Sequence, residues 1–129
     1  MNTKQNDRQQ HQNGNPHQNN RNLGQIGETA AAEILREKGY KIMCMNYRCK
    51  QGEIDIIAAK GIKLSFIEVK TRTNRSYGRP CEAVDFTKQQ RIRKAAHCYL
   101  NELERKGYIP AKITFDVMEI VAEHIENAF

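Results

Sequence analysis

The chain has 129 residues, enough for one domain, with 39% hydrophobic residues, 28% charged residues and a formal net charge of +6. No apolar run approaches the roughly 18 residues of a membrane-crossing helix, and no apolar leader or internal repeat is visible. Membrane-spanning and repeat architectures are excluded on these grounds, and the expected location is the cytoplasm, with the thiols reduced.

Residues 1–22 hold seven Asn and five Gln, and no aliphatic residue follows Met1 in that stretch. Such a segment has too little apolar surface to offset its chain entropy, so a disordered polar tail over 1–22 and a folding unit over 23–129 are expected. Residues 23–39 predict a helix, because Leu23, Ile26, Ala30, Ala31, Ile34 and Leu35 recur at three- and four-residue spacing and Gly39 stops the run. Asn22 and Gln25 resemble a capping box at its start. Residues 40–47 are β-prone with poor alternation. Residues 53–59 (EIDIIAA) predict a strand with Glu53, Asp55 and Ile57 on one face and Ile54, Ile56 and Ala58 on the other. Lys60-Gly61 predicts a hairpin turn into a second strand over 63–71. In that strand Phe66, Glu68 and Lys70 share one face, and Ile67 and Val69 the other.

Residues 72–81 form a basic loop punctuated by Gly78 and Pro80. Thr87 and Gln90 suggest a capping box opening a helix that runs to about Lys106 and ends at Gly107. Its apolar stripe is Ile92, Ala95, Ala96, Tyr99, Leu100 and Leu103. Residues 112–121 supply a last strand. The order α-β-β-β-α-β predicts an α/β fold, a mixed central sheet flanked by helices.

Positive charge is concentrated at Lys70, Arg72, Arg75, Arg79, Lys88, Arg91, Arg93 and Lys94, which give residues 70–94 a net +6. This excess suits a phosphate backbone, and equally a solvated basic helix and loop. Three strand residues are harder to absorb. Asp55 lies in an otherwise apolar strand, and Glu68 and Lys70 lie two apart in the next. Charges in a central strand are costly unless paired or bound to metal. If the two strands are neighbours, two carboxylates and an ammonium converge. Such a set holds Mg²⁺, while the lysine orients or activates a water. The alternative is a salt bridge on a solvated face. Glu28, at the edge of the first helix's apolar stripe, either reaches this site or complements the helix dipole. Lys88, Gln89 and Arg91, in the first turns of the second helix, would hold phosphates there, or are simply solvated.

Gly27-Glu28, Gly52-Glu53-Ile54-Asp55, Phe66-Ile67-Glu68-Val69-Lys70-Thr71-Arg72 and Phe115-Asp116-Val117 together resemble the bacterial YraN-like family over nearly all of 23–120. That family is similar to the PD-(D/E)xK nucleases and to archaeal Holliday-junction resolvases. The resemblance implies a restriction-endonuclease-like core, with Asp55, Glu68 and Lys70 as the catalytic D…E-x-K signature. It adds Glu28 as a further catalytic carboxylate, so that Asp55, Glu68 and Glu28 would bind Mg²⁺ or Mn²⁺. Ile54 stands where the signature has proline. Asp116 would have a structural role. The expected function is metal-dependent cleavage of DNA, possible substrates being branched or damaged DNA. The nucleic acid would be held by Arg72, Arg75, Arg79, Lys88, Gln89, Arg91, Arg93 and Lys94. Junction resolution would require two active sites, hence a homodimer. The alternatives are a non-catalytic nucleic-acid-binding module of the same fold and an interaction protein for an acidic partner.

Overall fold

The computed structural model describes residues 16–73 and 84–129. The elements are α1 (Pro16–Glu37), β1 (Lys41–Cys49), β2 (Gly52–Lys60), β3 (Lys63–Arg72), α2 (Phe86–Arg105) and β4 (Lys112–Val121), in the expected order. They form one four-stranded sheet in the order β1-β2-β3-β4. The first three strands are an antiparallel meander, and β4 runs parallel to β3 after the α2 crossover. Among the described residues no helix is long and apolar enough to cross a membrane.

Each face of the sheet carries one helix. Ala31, Ala32 and Leu35 of α1 bury against Ile56, Ala58 and Ile67. Ile92, Ala95 and Ala96 of α2 bury against Ile54, Ile57, Leu64 and Phe66 on the other face. Full burial of the Leu, Ile and Phe side chains among these contributes about 1.5–3 kcal/mol each, and the sheet is the common floor of both cores. Ser65, fully buried between β2 and β4, is satisfied by a 2.7 Å hydrogen bond with the Thr114 hydroxyl.

Several boundaries differ from expectation. Helix α1 starts at Pro16, within the polar segment, and runs through Asn22, so Asn22 does not cap it. Proline suits a first helical turn, where its missing N–H has no intrahelical partner to lose. The expectation of a polar tail concerns 1–22, of which 1–15 lie outside the described residues. Helix α2 starts at Phe86, one residue before the expected capping residue. Asp85 is the true N-cap, its carboxylate accepting the Lys88 N–H at 2.8 Å. Both helices leave through Gly39 (φ 88°) and Gly107 (φ 82°).

The predicted alternation along β2 fails at one point. Ile54 packs with Ile57 on the α2 side, whereas Ile56 and Ala58 pack on the α1 side. The neighbouring strand β1 is irregular as well. Met43 is an extra residue between the pairs Ile42–Ala58 and Cys44–Ile57. Asn46, opposite Asp55 between the pairs Met45–Ile56 and Tyr47–Ile54, has left-handed backbone (φ 51°). Irregularities of this kind re-aim side chains, and here they account for the poor alternation of residues 40–47.

Helix α1 meets the sheet most closely at Gly27. A Cβ there would lie 1.8 Å from Thr71 Oγ1 and 3.0 Å from Thr71 Cβ. Gly27→Ala should therefore destabilise the fold by about 1–3 kcal/mol in urea unfolding despite alanine's better helix propensity. A second substitution, Thr71→Ala, should recover much of that loss.

Candidate active site

The β2–β3 ladder sets the geometry. It pairs Lys60 with Lys63 and continues to Ile56 with Ile67, where it stops. Strand β3 runs on to Arg72, paired throughout with β4. Beyond the last β2–β3 pair, the Asp55 carboxylate replaces the missing backbone partner. Its Oδ2 accepts the Val69 N–H at 2.8 Å. A side chain thereby closes the ladder, and a charged group is anchored where the strands part.

Glu68 lies beside it, 7% exposed, on the face covered by α2. The negative charge of Glu68 acts on Asp55 at close range. Burial pushes the Asp55 carboxyl up to about 7, and the charges of Glu68 and Glu28 push the same way; the Val69 N–H opposes them. Lys70 Nζ stands 3.7 Å from Glu68 Oε1. Burial, with the neighbouring Lys88 ammonium, holds the Lys70 pKa below the ordinary lysine value. Lys88 reaches in from the first turn of α2 and forms an ion pair with the same Glu68 oxygen. Burial pulls the Lys88 pKa down, but Glu68 outweighs it and the net shift is upward.

Asp55, Glu68 and Lys70 thus converge as the two-residue spacing requires, and the charge of Glu28 is felt at Asp55 from α1. Among the described residues no three of His, Cys, Asp and Glu are close enough to enclose a metal by themselves. The donors fit a hard divalent cation, which takes one or two carboxylates and keeps several waters. Asp55 and Glu68 are two neighbouring oxygen donors whose repulsion such a cation would relieve.

The expected phosphate ligands are dispersed. Arg75 and Arg79 lie outside the described residues. The Arg72 guanidinium faces Glu119 Oε1 at 2.5 Å and braces β3 against β4. Gln89 Nε2 donates to the Val84 carbonyl at 2.9 Å. Arg91 and Lys94 are exposed on α2. Arg93 lies 4.6 Å above the Phe115 ring, which stacks on Phe66 at 5.5 Å. This cation–aromatic stack lines a cavity next to Glu68.

One feature escaped the sequence reading, and one expected site residue, Lys88, makes a contact that was not foreseen. The β1–β2 turn places Arg48 and Lys50 in a cleft with Arg91. Lys88 contacts a site carboxylate, a role its four-residue spacing from Ile92 on the buried stripe already signals.

The raised Asp55 pKa has a definite sign. In the folded chain Asp55 ionises near pH 7; unfolded, it would ionise near its ordinary value of 3.8. Its ionisation therefore costs stability progressively as the pH rises from about 4 through 7. In metal-free buffer Asp55→Asn, which still accepts from Val69, should flatten that pH dependence. At pH 8 it should stabilise the protein by about 2 kcal/mol, the size left after solvent screening at this half-buried position. Denaturant titrations at pH 5 and pH 8 check this.

Similarity to known proteins extends over the same residues. The model of the uncharacterised protein family UPF0102 matches residues 27–120, which include all five charged residues of the cluster. A UPF0102 protein of Alkaliphilus metalliredigens is 46% identical, covering 84% of this chain and 98% of the relative. The UPF0102 protein TTE1452 of Caldanaerobacter subterraneus is 44% identical over 86% of this chain and 97% of its own length. The UPF0102 protein STH1475 of Symbiobacterium thermophilum is 48% identical over 78% and 82% of the two chains. On this extent of similarity, the chain belongs to the UPF0102 family.

Proposed function

We propose that the protein is a metal-dependent DNA endonuclease that hydrolyses phosphodiester bonds, with branched or damaged DNA as substrate. The observation that carries this reading is the meeting of Asp55, Glu68 and Lys70 where β2 leaves β3. Asp55 and Glu68 would hold Mg²⁺ or Mn²⁺, and Glu28 would add a third carboxylate from α1. Bound there, the cation would neutralise phosphate charge and lower the pKa of a water. Lys70 would orient that water and take up its proton, a task favoured by its lowered pKa. Asp55, tied to the Val69 N–H, would keep its orientation through the reaction.

Lys88 would exchange Glu68 for a substrate phosphate, joined by Gln89, Arg91, Arg93 and Lys94 along α2 and by Arg72, Arg75 and Arg79 after β3. Arg48 and Lys50 would extend that track past Arg91. Such contacts grip the backbone without reading sequence, so binding should fall steeply with salt. Resolution of a four-way junction would further call for a homodimer carrying two sites. Acting on DNA, the protein would work in the cytoplasm.

One observation favours a second reading, a non-catalytic nucleic-acid-binding protein of the same fold. Lys88 and Lys70 already neutralise Glu68, so the cluster's charge is balanced without metal.

Asp55→Ala and Lys70→Ala should each abolish metal-dependent cleavage on a panel of linear, flap and four-way-junction DNA while leaving binding nearly intact. Cleavage at wild-type level by both variants would overturn the assignment. Lys88→Met, which frees Glu68, should tighten Mn²⁺ binding about five- to tenfold by calorimetry and weaken DNA binding. If neither the wild-type protein nor this variant binds Mn²⁺, the non-catalytic reading stands.

A further inference from the structure

The end of the β1–β2 hairpin opposite the Gly61 turn carries a pair of thiols that the carboxylate cluster does not use. Cys49 is the last residue of β1, and Cys98 lies within α2. Both thiols point at one acceptor in the turn. Gln51 Oε1 lies 3.9 Å from Cys49 Sγ and 3.8 Å from Cys98 Sγ. Cys49, Gln51 and Cys98 line one cleft. Both are half-buried, which leaves them open to small reagents. Cys44, by contrast, donates to the Met45 carbonyl at 3.6 Å.

The packing that brings them together is specific. A Cβ at Gly52 would lie 3.0 Å from the Arg91 carbonyl oxygen, so the turn and α2 approach as closely as a glycine permits. Gln51 adjoins Gly52 in that turn, and Cys98 follows Arg91 by about two turns of α2.

We propose that Cys49 and Cys98 are a redox modification site, closing into a reversible intramolecular disulfide when a small-molecule disulfide is available. The Cys49 thiolate attacks one sulfur of that disulfide, breaks its S–S bond and releases one small thiol. The Cys98 thiolate then attacks the Cys49 sulfur and expels the second. Two protein thiols are oxidised, the small disulfide is reduced to two thiols, and the protons pass to those leaving groups. The direction of attack has local support. Burial opposes ionisation of Cys49, but the backbone at Gln51 and Gly52 and the Cys98 thiol outweigh it and lower its pKa. Cys98 is raised, first by the neighbouring Cys49 thiol and then by burial. The thiol nearer ionisation is the better nucleophile at neutral pH. The product would tie the β1–β2 turn covalently to α2, the helix that carries Lys88 to Glu68.

The full chain should be equilibrated in glutathione buffers from fully reduced to fully oxidised, alkylated, digested and mapped by mass. The expected result is loss of alkylation at Cys49 and Cys98 together, a Cys49–Cys98 cross-linked peptide, and reversal by dithiothreitol. Cys44→Ser should leave the cross-link intact. Cys49→Ser and Cys98→Ser should each abolish it and leave the remaining thiol as a glutathione adduct. The oxidised wild-type protein should melt at a higher temperature than the reduced one. Free thiols persisting in excess oxidised glutathione, or pairing of either cysteine with Cys44, with Cys81 or between chains, would overturn the proposal.

Discussion

One hydrogen bond organises the candidate site. Strands β2 and β3 stop pairing after Ile56 and Ile67, and the Asp55 carboxylate takes the next backbone donor, Val69 N–H. A buried N–H without a partner would cost a hydrogen bond's worth of stability, and so would a carboxylate without a donor. Each satisfies the other. The fork between the strands stays open because a side chain, rather than a strand, closes it. Glu68 and Lys70 then project from a stretch of β3 that β2 does not cover, with room beside them on the α2 side.

The electrostatics of this fork are a balance held under tension. Asp55 and Glu68 repel each other, with Glu28 adding a third negative charge, and Lys70 and Lys88 supply two positive ones. Every carboxylate in the fold's interior must be neutralised in some way, by proton, ammonium or cation. Asp55 leans toward the proton and Glu68 toward the ammoniums. A third option would exchange one kind of positive charge for another with little change to the packing around it. The fold therefore stands with these charges balanced among themselves.

Much of this was legible in the sequence because period-two and heptad-like spacings report faces directly. Glu68 and Lys70 had to leave the same side of β3, and Asp55 had to face them if the Lys60-Gly61 turn made a hairpin, which it does. The apolar stripe of α2 was equally plain. What failed were details that depend on partners far along the chain. Ile54 changes sides where β2 runs opposite a left-handed Asn46 on the neighbouring strand, a pairing that the local alternation around Ile54 does not report. Asp85 caps α2 in place of Thr87 because both are acceptable caps and packing of Val84 and Ile92 selects the earlier start. Arg72, expected to hold phosphate, also pairs with Glu119, which only the distant β4 brings alongside it. Charge patterns in sequence identify a reservoir of cations, and tertiary pairing decides which of them are spent on the fold.

The pairing of β4 bears on when the site can exist at all. Beyond Ile67 the backbone of β3 has lost β2, and its described ladder partner from Glu68 to Arg72 is β4. Strand β4 follows the whole of α2 in the chain. During synthesis, therefore, the helix α1 and the three-stranded meander emerge with Asp55 and Glu68 already in the chain but with half of β3 unsupported. Only after residues 112–121 clear the ribosome can they be added to the sheet and fix the positions of Glu68 and Lys70. A nascent or truncated chain would carry Asp55, Glu68 and Lys70 without the strand that fixes their geometry, so the cluster is assembled by the last element of the fold to be made.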